Sequence, residues 1–218
     1  MSDHPRGMYR DPARFEDDIA RFEREAQSGS LPTGAVMGYG SSTLRLWGEG
    51  LKRDLEPLTV INRGFGGSNA NDALHFADRV ILPLRPRAIL LYFGGNDIEA
   101  DRVEPKRALG LLEMLFDRMQ GALPKLRWYV LTLKLAPRLP QTWDRVKSFN
   151  RQIEGVCATR ERHTLVDVSK PTLDAKGEPK PKFFAPDQLH LSRAGYGLWR
   201  EVIRPVLVER EGLYESVD

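Results

Sequence analysis

The stretch "GYGSST", residues 38–43, sets two adjacent serines directly behind a short apolar run. A hydroxyl at a strand-to-helix turn attacks a carbonyl only if a neighbouring base takes its proton, and histidine is the usual base. The chain holds four histidines: His4, His75, His163 and His190. His4 stands in the polar amino-terminal stretch, His75 within a helical pattern and His163 ahead of an apolar run. Those settings suit solvated or structural imidazoles. His190 differs, because in "APDQLHLSRAGY" it follows a proline-rich loop and precedes the last helical pattern, with Asp187 three residues upstream. In a turn, that spacing lets the carboxylate orient the imidazole and stabilise its cation.

A single Asp-x-x-His pair is a common coincidence, so further groups are needed. Acyl transfer through a serine builds negative charge on the carbonyl oxygen and requires hydrogen-bond donors there. "GGND", residues 94–97, offers the side-chain amide of Asn96 behind two glycines. "GFGGS", residues 64–68, offers the backbone N–H of Gly67, with no side chain to obstruct a substrate. With the nucleophile's own N–H, these make three donors. Taken singly, the glycines read as turn residues, and Asn96 and Asp97 as an Asx turn or a helix cap. Taken together, they fall in order behind successive apolar runs.

Those runs are Ala35 to Tyr39, Leu58 to Ile61, Ala88 to Phe93, Trp128 to Leu133 and Leu165 to Val168. They are continuous rather than alternating, as strands covered on both faces are. Helical patterns separate them. Leu74, Ala77 and Ile81 mark one over 71–82, closed by Pro83, and Leu109, Leu112, Phe116, Met119 and Leu123 mark another. Residues 143–160 and 194–208 give two more, and Phe15, Ile19, Phe22 and Ala26 trace an amphipathic helix before "SGSLP". Alternation of this kind predicts an α/β fold: a three-layer α/β/α sandwich on a mainly parallel five-stranded sheet. Sites in such sheets lie beyond the carboxyl ends of the strands. The expected organisation is a helical extension over residues 1–30 packed on one domain over 31–218.

The totals narrow the classes. A chain of 218 residues suffices for one well-buried core without disulfides, and its single cysteine, Cys157, has no internal partner for one. Lysines and arginines number 33 against 30 acidic residues, a mixed solvated surface that argues against nucleic acid as a partner. The polar start and the lack of an unbroken run of ~18 apolar residues predict no secretory leader, no stable membrane insertion and a cytoplasmic location. Dinucleotide binding is a second reading: Gly38 and Gly40 give G-x-G after a strand, and Arg63 could meet an NADP phosphate. Thr43, however, stands where the third glycine belongs. Cys157, Trp47, Trp128 and Trp199 read as core. Arg138 and Trp143 are candidates for a cleft wall but fit surface packing better, and Lys176, Lys180 and Lys182 read as a solvated face.

With these motifs in view, the sequence resembles the SGNH, or GDSL-type, hydrolases over about residues 36–207. "YGSST", "NRGFGGS", "GGND" and "DQLH" correspond in order to that family's four blocks, with Ser41 where the first block usually carries aspartate. The resemblance implies a flavodoxin-like fold and a cofactor-free, metal-free serine esterase or acylhydrolase acting on a small-molecule ester. Short-chain, sugar-linked, lipid and thioester acyl groups are all within its range, as in a deacetylase or a lysophospholipase-like enzyme. It places the nucleophile at Ser42, the remainder of the triad at Asp187 and His190, and the oxyanion donors at Ser42, Gly67 and Asn96. Gly66 replaces Gly67 if the alignment slips by one. Ser41 is expected to support the turn with its small polar side chain. A catalytically silent binding protein on the same fold is the alternative.

Overall fold

The computed structural model describes residues 7–215, so His4 and the outer ends of the two expected segments lie outside the described residues. Five parallel strands form one sheet: β1 (Val36–Gly40), β2 (Val60–Gly64), β3 (Ala88–Tyr92), β4 (Arg127–Leu131) and β5 (His163–Val166). Their spatial order is β2-β1-β3-β4-β5. Chain direction therefore switches outward on either side of β1, and the crevice between the carboxyl ends of β1 and β3 is the natural place for a site. The register pairs Gly40 with Gly64 on one side and with Tyr92 on the other, so the loops after all three strands leave the sheet at one level.

The helices are α1 (Glu16–Gln27), α2 (Ser42–Trp47), α3 (Gly50–Asp54), α4 (Ala70–Ile81), α5 (Gly95–Glu99), α6 (Pro105–Ala122), α7 (Trp143–Thr159) and α8 (Arg193–Glu211). The long ones follow the apolar periodicity: α6 buries Leu109, Leu112, Phe116 and Met119, and α8 buries Trp199, Ile203 and Leu207. Strands β1 and β3 are wholly buried. β5 is an edge strand with three half-buried residues, and it begins two residues before the apolar run at 165–168. β2 likewise lies two residues beyond the start of its run. In both cases the pairing register, rather than hydrophobicity, sets the ends. The short helices α2, α3 and α5 span fewer than two turns and leave no periodic trace in the sequence.

The amino-terminal helix is part of the core. Phe15, Ile19 and Phe22 are buried, and Phe15 and Phe22 pack edge-to-face on Phe65. Arg79 of α4 is bound by Glu16 and Glu23. Arg63, at 3% exposure, pairs with Glu25 at 2.7 Å and stacks on Phe22. That guanidinium is thus committed to α1 and is not presented to a dinucleotide phosphate. Cys157, Trp47, Trp128 and Trp199 are buried, as the sequence predicts, and burial pushes the Cys157 thiol up to about 11. Among the described residues, no helix is long and apolar enough to cross a membrane.

Candidate active site

Ser42 is the first residue of α2, immediately beyond β1. The turn that presents it is made by packing on three sides. The N–H of Ser41 donates to Tyr92 O of β3 at 3.3 Å, and the N–H of Arg45 donates to Ser41 O at 3.0 Å. Asn62 of β2 donates to Leu44 O at 2.7 Å, and Tyr196 of α8 donates its hydroxyl proton to Thr43 O at 2.8 Å. Leu44 and Trp47 anchor the helix below, with Trp47 against Tyr196 and Trp199. The approach to β2 is so close that a Cβ on Gly64 would lie 2.3 Å from the Arg45 nitrogen, so only glycine fits there. Ser41 contributes backbone bonds to the turn, and its buried side chain makes no capping bond.

Of the two serines, Ser41 is buried and Ser42 is half-exposed. The Oγ of Ser42 lies 3.0 Å from Nε2 of His190, and Nδ1 of His190 lies 2.6 Å from Oδ2 of Asp187. With Nδ1 protonated toward the carboxylate, Nε2 is left to accept the serine proton. The other carboxylate oxygen, Oδ1, accepts the backbone N–H groups of Leu189 and His190, both at 3.0 Å. Burial pushes the Asp187 carboxyl up, but the bonds from the His190 ring and from those two N–H groups outweigh it and hold the pKa at about 2. Asp187 therefore stays ionised beside the imidazole at any ordinary pH.

Asn96 lies in the first turn of α5, beyond β3, and lines the same small hollow as Ser42 and His190. One N–H of its amide donates to Ser68 O at 2.7 Å. Gly67 sits next to that carbonyl, in a turn closed by the Ser68 N–H on Phe65 O. Its φ of +85° explains the glycine, since a Cβ there would meet nothing within 4 Å and only the backbone conformation excludes other residues. Gly67 is exposed beside the hollow rather than in its lining. Gly66, the other candidate, faces the Arg45 side chain.

Asp97, read from the sequence as an Asx turn or a helix cap, is a cap, but of a helix other than its own. Fully buried, it accepts the Ala70 N–H on both oxygens at 3.1 Å and the Tyr9 hydroxyl at 2.7 Å. It thus caps α4, a different helix from its own, and ties the Gly67 turn to the Asn96 turn. Burial raises its pKa to about 6, and that of Asp72 to about 6 as well. A cap that joins two segments 27 residues apart leaves no local signature. Two further charged residues, Glu99 and Lys134, also line the hollow. The available signal was a lysine standing directly behind the apolar run 128–133.

The other sequence candidates lie elsewhere. His75 packs edge-to-face on Phe76, and His163 sits between Phe116 and Trp128 with Nδ1 on Glu161 O at 2.7 Å. Trp143 donates to Ala136 O at 2.8 Å, and neither it nor Arg138 lines the hollow. Lys180 and Lys182 flank the Phe183 ring, and Lys176 is exposed. Among the described residues, no group of three or more His, Cys, Asp or Glu side chains is arranged to hold a metal ion.

Solved structures with the same architecture are numerous. A Bacteroides thetaiotaomicron GDSL-like lipase superposes with a TM-score of 0.74 at 17% identity, covering 88% of this chain and 97% of its own. An Enterococcus faecalis lipase/acylhydrolase gives 0.65 at 22% identity, covering 80% and 95%. A Streptococcus pneumonia protein provisionally assigned as a platelet activating factor gives 0.78 at 20%, covering 88% and 92%. No curated protein matches the sequence. The profile of the GDSL-like Lipase/Acylhydrolase family matches residues 29–198, a span holding Ser42, Gly67, Asn96, Asp187 and His190. On that match the chain belongs to the GDSL-like lipase/acylhydrolase family.

Proposed function

We propose that this protein is a serine esterase that cleaves small-molecule carboxylic esters through an acyl-enzyme, with Ser42 as nucleophile. The supporting observation is the unbroken line from Ser42 Oγ through the His190 ring to Asp187, at 3.0 and 2.6 Å. Ser42 attacks the ester carbonyl while His190 Nε2 takes its proton, and Asp187 holds the imidazole and stabilises its cation. The N–H groups of Ser42 and Gly67 and the free N–H of the Asn96 amide receive the developing oxyanion. His190 then protonates the departing alcohol. Water, deprotonated by the same nitrogen, releases the acid and restores the serine.

The experiment is active-site labelling with a fluorophosphonate, paired with a short-chain ester assay. Wild type and Ser41→Ala should be labelled and active, and Ser42→Ala neither. Labelling retained in Ser42→Ala and lost in Ser41→Ala would transfer the role to the buried neighbour. Absence of labelling and hydrolysis in every form would leave a silent binding protein.

A further inference from the structure

The hollow beside Ser42 contains two charged side chains that the triad does not use. Lys134 follows β4 and is held there by Asn150, which bonds both the N–H and the carbonyl of Leu133 at 2.8 Å. The lysine is 5% exposed, sits 5.9 Å over the Tyr92 ring, and enters no ion pair among the described residues. Glu99, at the end of α5, is half-buried and likewise carries no salt bridge. Burial raises its carboxyl pKa, while the nearby positive charges of Lys134 and of a protonated His190 pull the other way. Lys134 and Glu99 feel each other's charge across the hollow without forming a direct ion pair, which leaves the ammonium a donor and the carboxylate an acceptor for a substrate group lying between them. The hollow itself is only about 40 Å³ and is lined mainly by polar groups, among them Ser42, Asn96 and His190.

We propose that Lys134 and Glu99 form a hydroxyl-binding subsite beside Ser42, so that the preferred substrate is a short ester bearing a free hydroxyl close to the scissile carbonyl. The proposal rests on the serine-esterase reading above and specifies its substrate. One hydroxyl satisfies both side chains, its oxygen accepting from the ammonium and its proton donated to the carboxylate. An anionic substrate group would suit the lysine alone and would be repelled by Glu99. An alkyl group would satisfy neither.

The test uses two matched ester pairs, each rate divided by the ester's hydroxide-catalysed rate. 2-Hydroxyethyl acetate against n-propyl acetate places the hydroxyl on the alcohol side. Ethyl glycolate against ethyl propionate places it on the acid side. In one pair, wild type should favour the hydroxylated member by roughly 10- to 100-fold in kcat/KM, the range for a hydrogen bond to a charged group. That pair also identifies which half of the substrate enters the hollow. Lys134→Met and Glu99→Leu should each bring the ratio towards one. Glu99→Leu, at a half-exposed helix end, keeps the test decisive if Lys134→Met does not fold. Ser42-dependent hydrolysis with no preference in either pair would overturn the subsite and leave the esterase reading standing. So would a preference that survives both substitutions, or a loss shared equally within a pair. No Ser42-dependent hydrolysis of any of the four esters, with no fluorophosphonate labelling, would remove both.

Discussion

The amide of Asn96 spends one of its two N–H groups on the carbonyl of Ser68, 2.7 Å away in the neighbouring loop. That bond fixes the side chain's rotation and leaves the second N–H for the hollow beside Ser42. Asn96→Ala should lower kcat by about 10²- to 10³-fold, the usual cost of one oxyanion donor. It should also cost about 1–2 kcal/mol of stability, because the buried Ser68 carbonyl loses its partner. Steady-state kinetics and thermal melting check the two effects separately. A kcat within threefold of wild type would take Asn96 out of the reaction.

Asp187→Asn removes the charge that faces the His190 ring while keeping the side chain's shape. Turnover should fall on the order of 10⁴-fold, with little change in KM, because the imidazole loses both its fixed tautomer and the stabilisation of its cation. The folded pKa of Asp187, about 2, lies below the unfolded carboxylate value. Its contribution to stability is thus complete above pH 4 and disappears only as pH falls through 2. Loss of wild-type activity as pH falls from 7 to 4 should consequently not come from protonation of Asp187 itself, which a pH–rate profile checks.

Asp97 behaves in the opposite sense. Burial lifts its pKa to about 6 in the folded protein, above the unfolded value, so the folded state binds the extra proton. Ionising it in place lowers stability as pH rises from 4 to 6, and the full penalty is present above 6. The melting temperature of Asp97→Asn relative to wild type should accordingly rise between pH 4 and pH 7, on the order of 10 °C for a shift of this size in a chain of this length. A difference that stays flat across that range would mean that Asp97 is already charged at pH 4.

Much of this site was legible because its groups sit where one strand ends and the chain turns. Continuous apolar runs identified the strands, the position of sites beyond their carboxyl ends pointed to the loops that follow them, and small residues behind three of the runs identified the turns. The β1–β3 crevice came only from the spatial strand order. The choice between Ser41 and Ser42 was not contained in those patterns and rested on resemblance. In the structure Ser41 is buried with its N–H tied to Tyr92 O, while Ser42 is half-exposed with its hydroxyl 3.0 Å from His190 Nε2, an arrangement that supports the proposed role of Ser42. Which helix Asp97 caps was illegible for a different reason. A carboxylate that caps a helix 27 residues upstream acts through tertiary packing, and its neighbours in sequence carry no trace of that. Lys134 and Glu99 come from separate segments and acquire meaning only by sharing one hollow.

Asp187 is bonded twice to His190 and once to the Leu189 N–H, all within four consecutive residues. The pair therefore holds its own geometry on the loop before α8, which is tied to the segment after β4 by the Arg138 N–H on Gln188 O at 3.0 Å and meets α2 through the 3.0 Å approach of His190 to Ser42. A displacement of that loop would lengthen the Ser42–His190 approach while leaving the Asp187–His190 bonds intact.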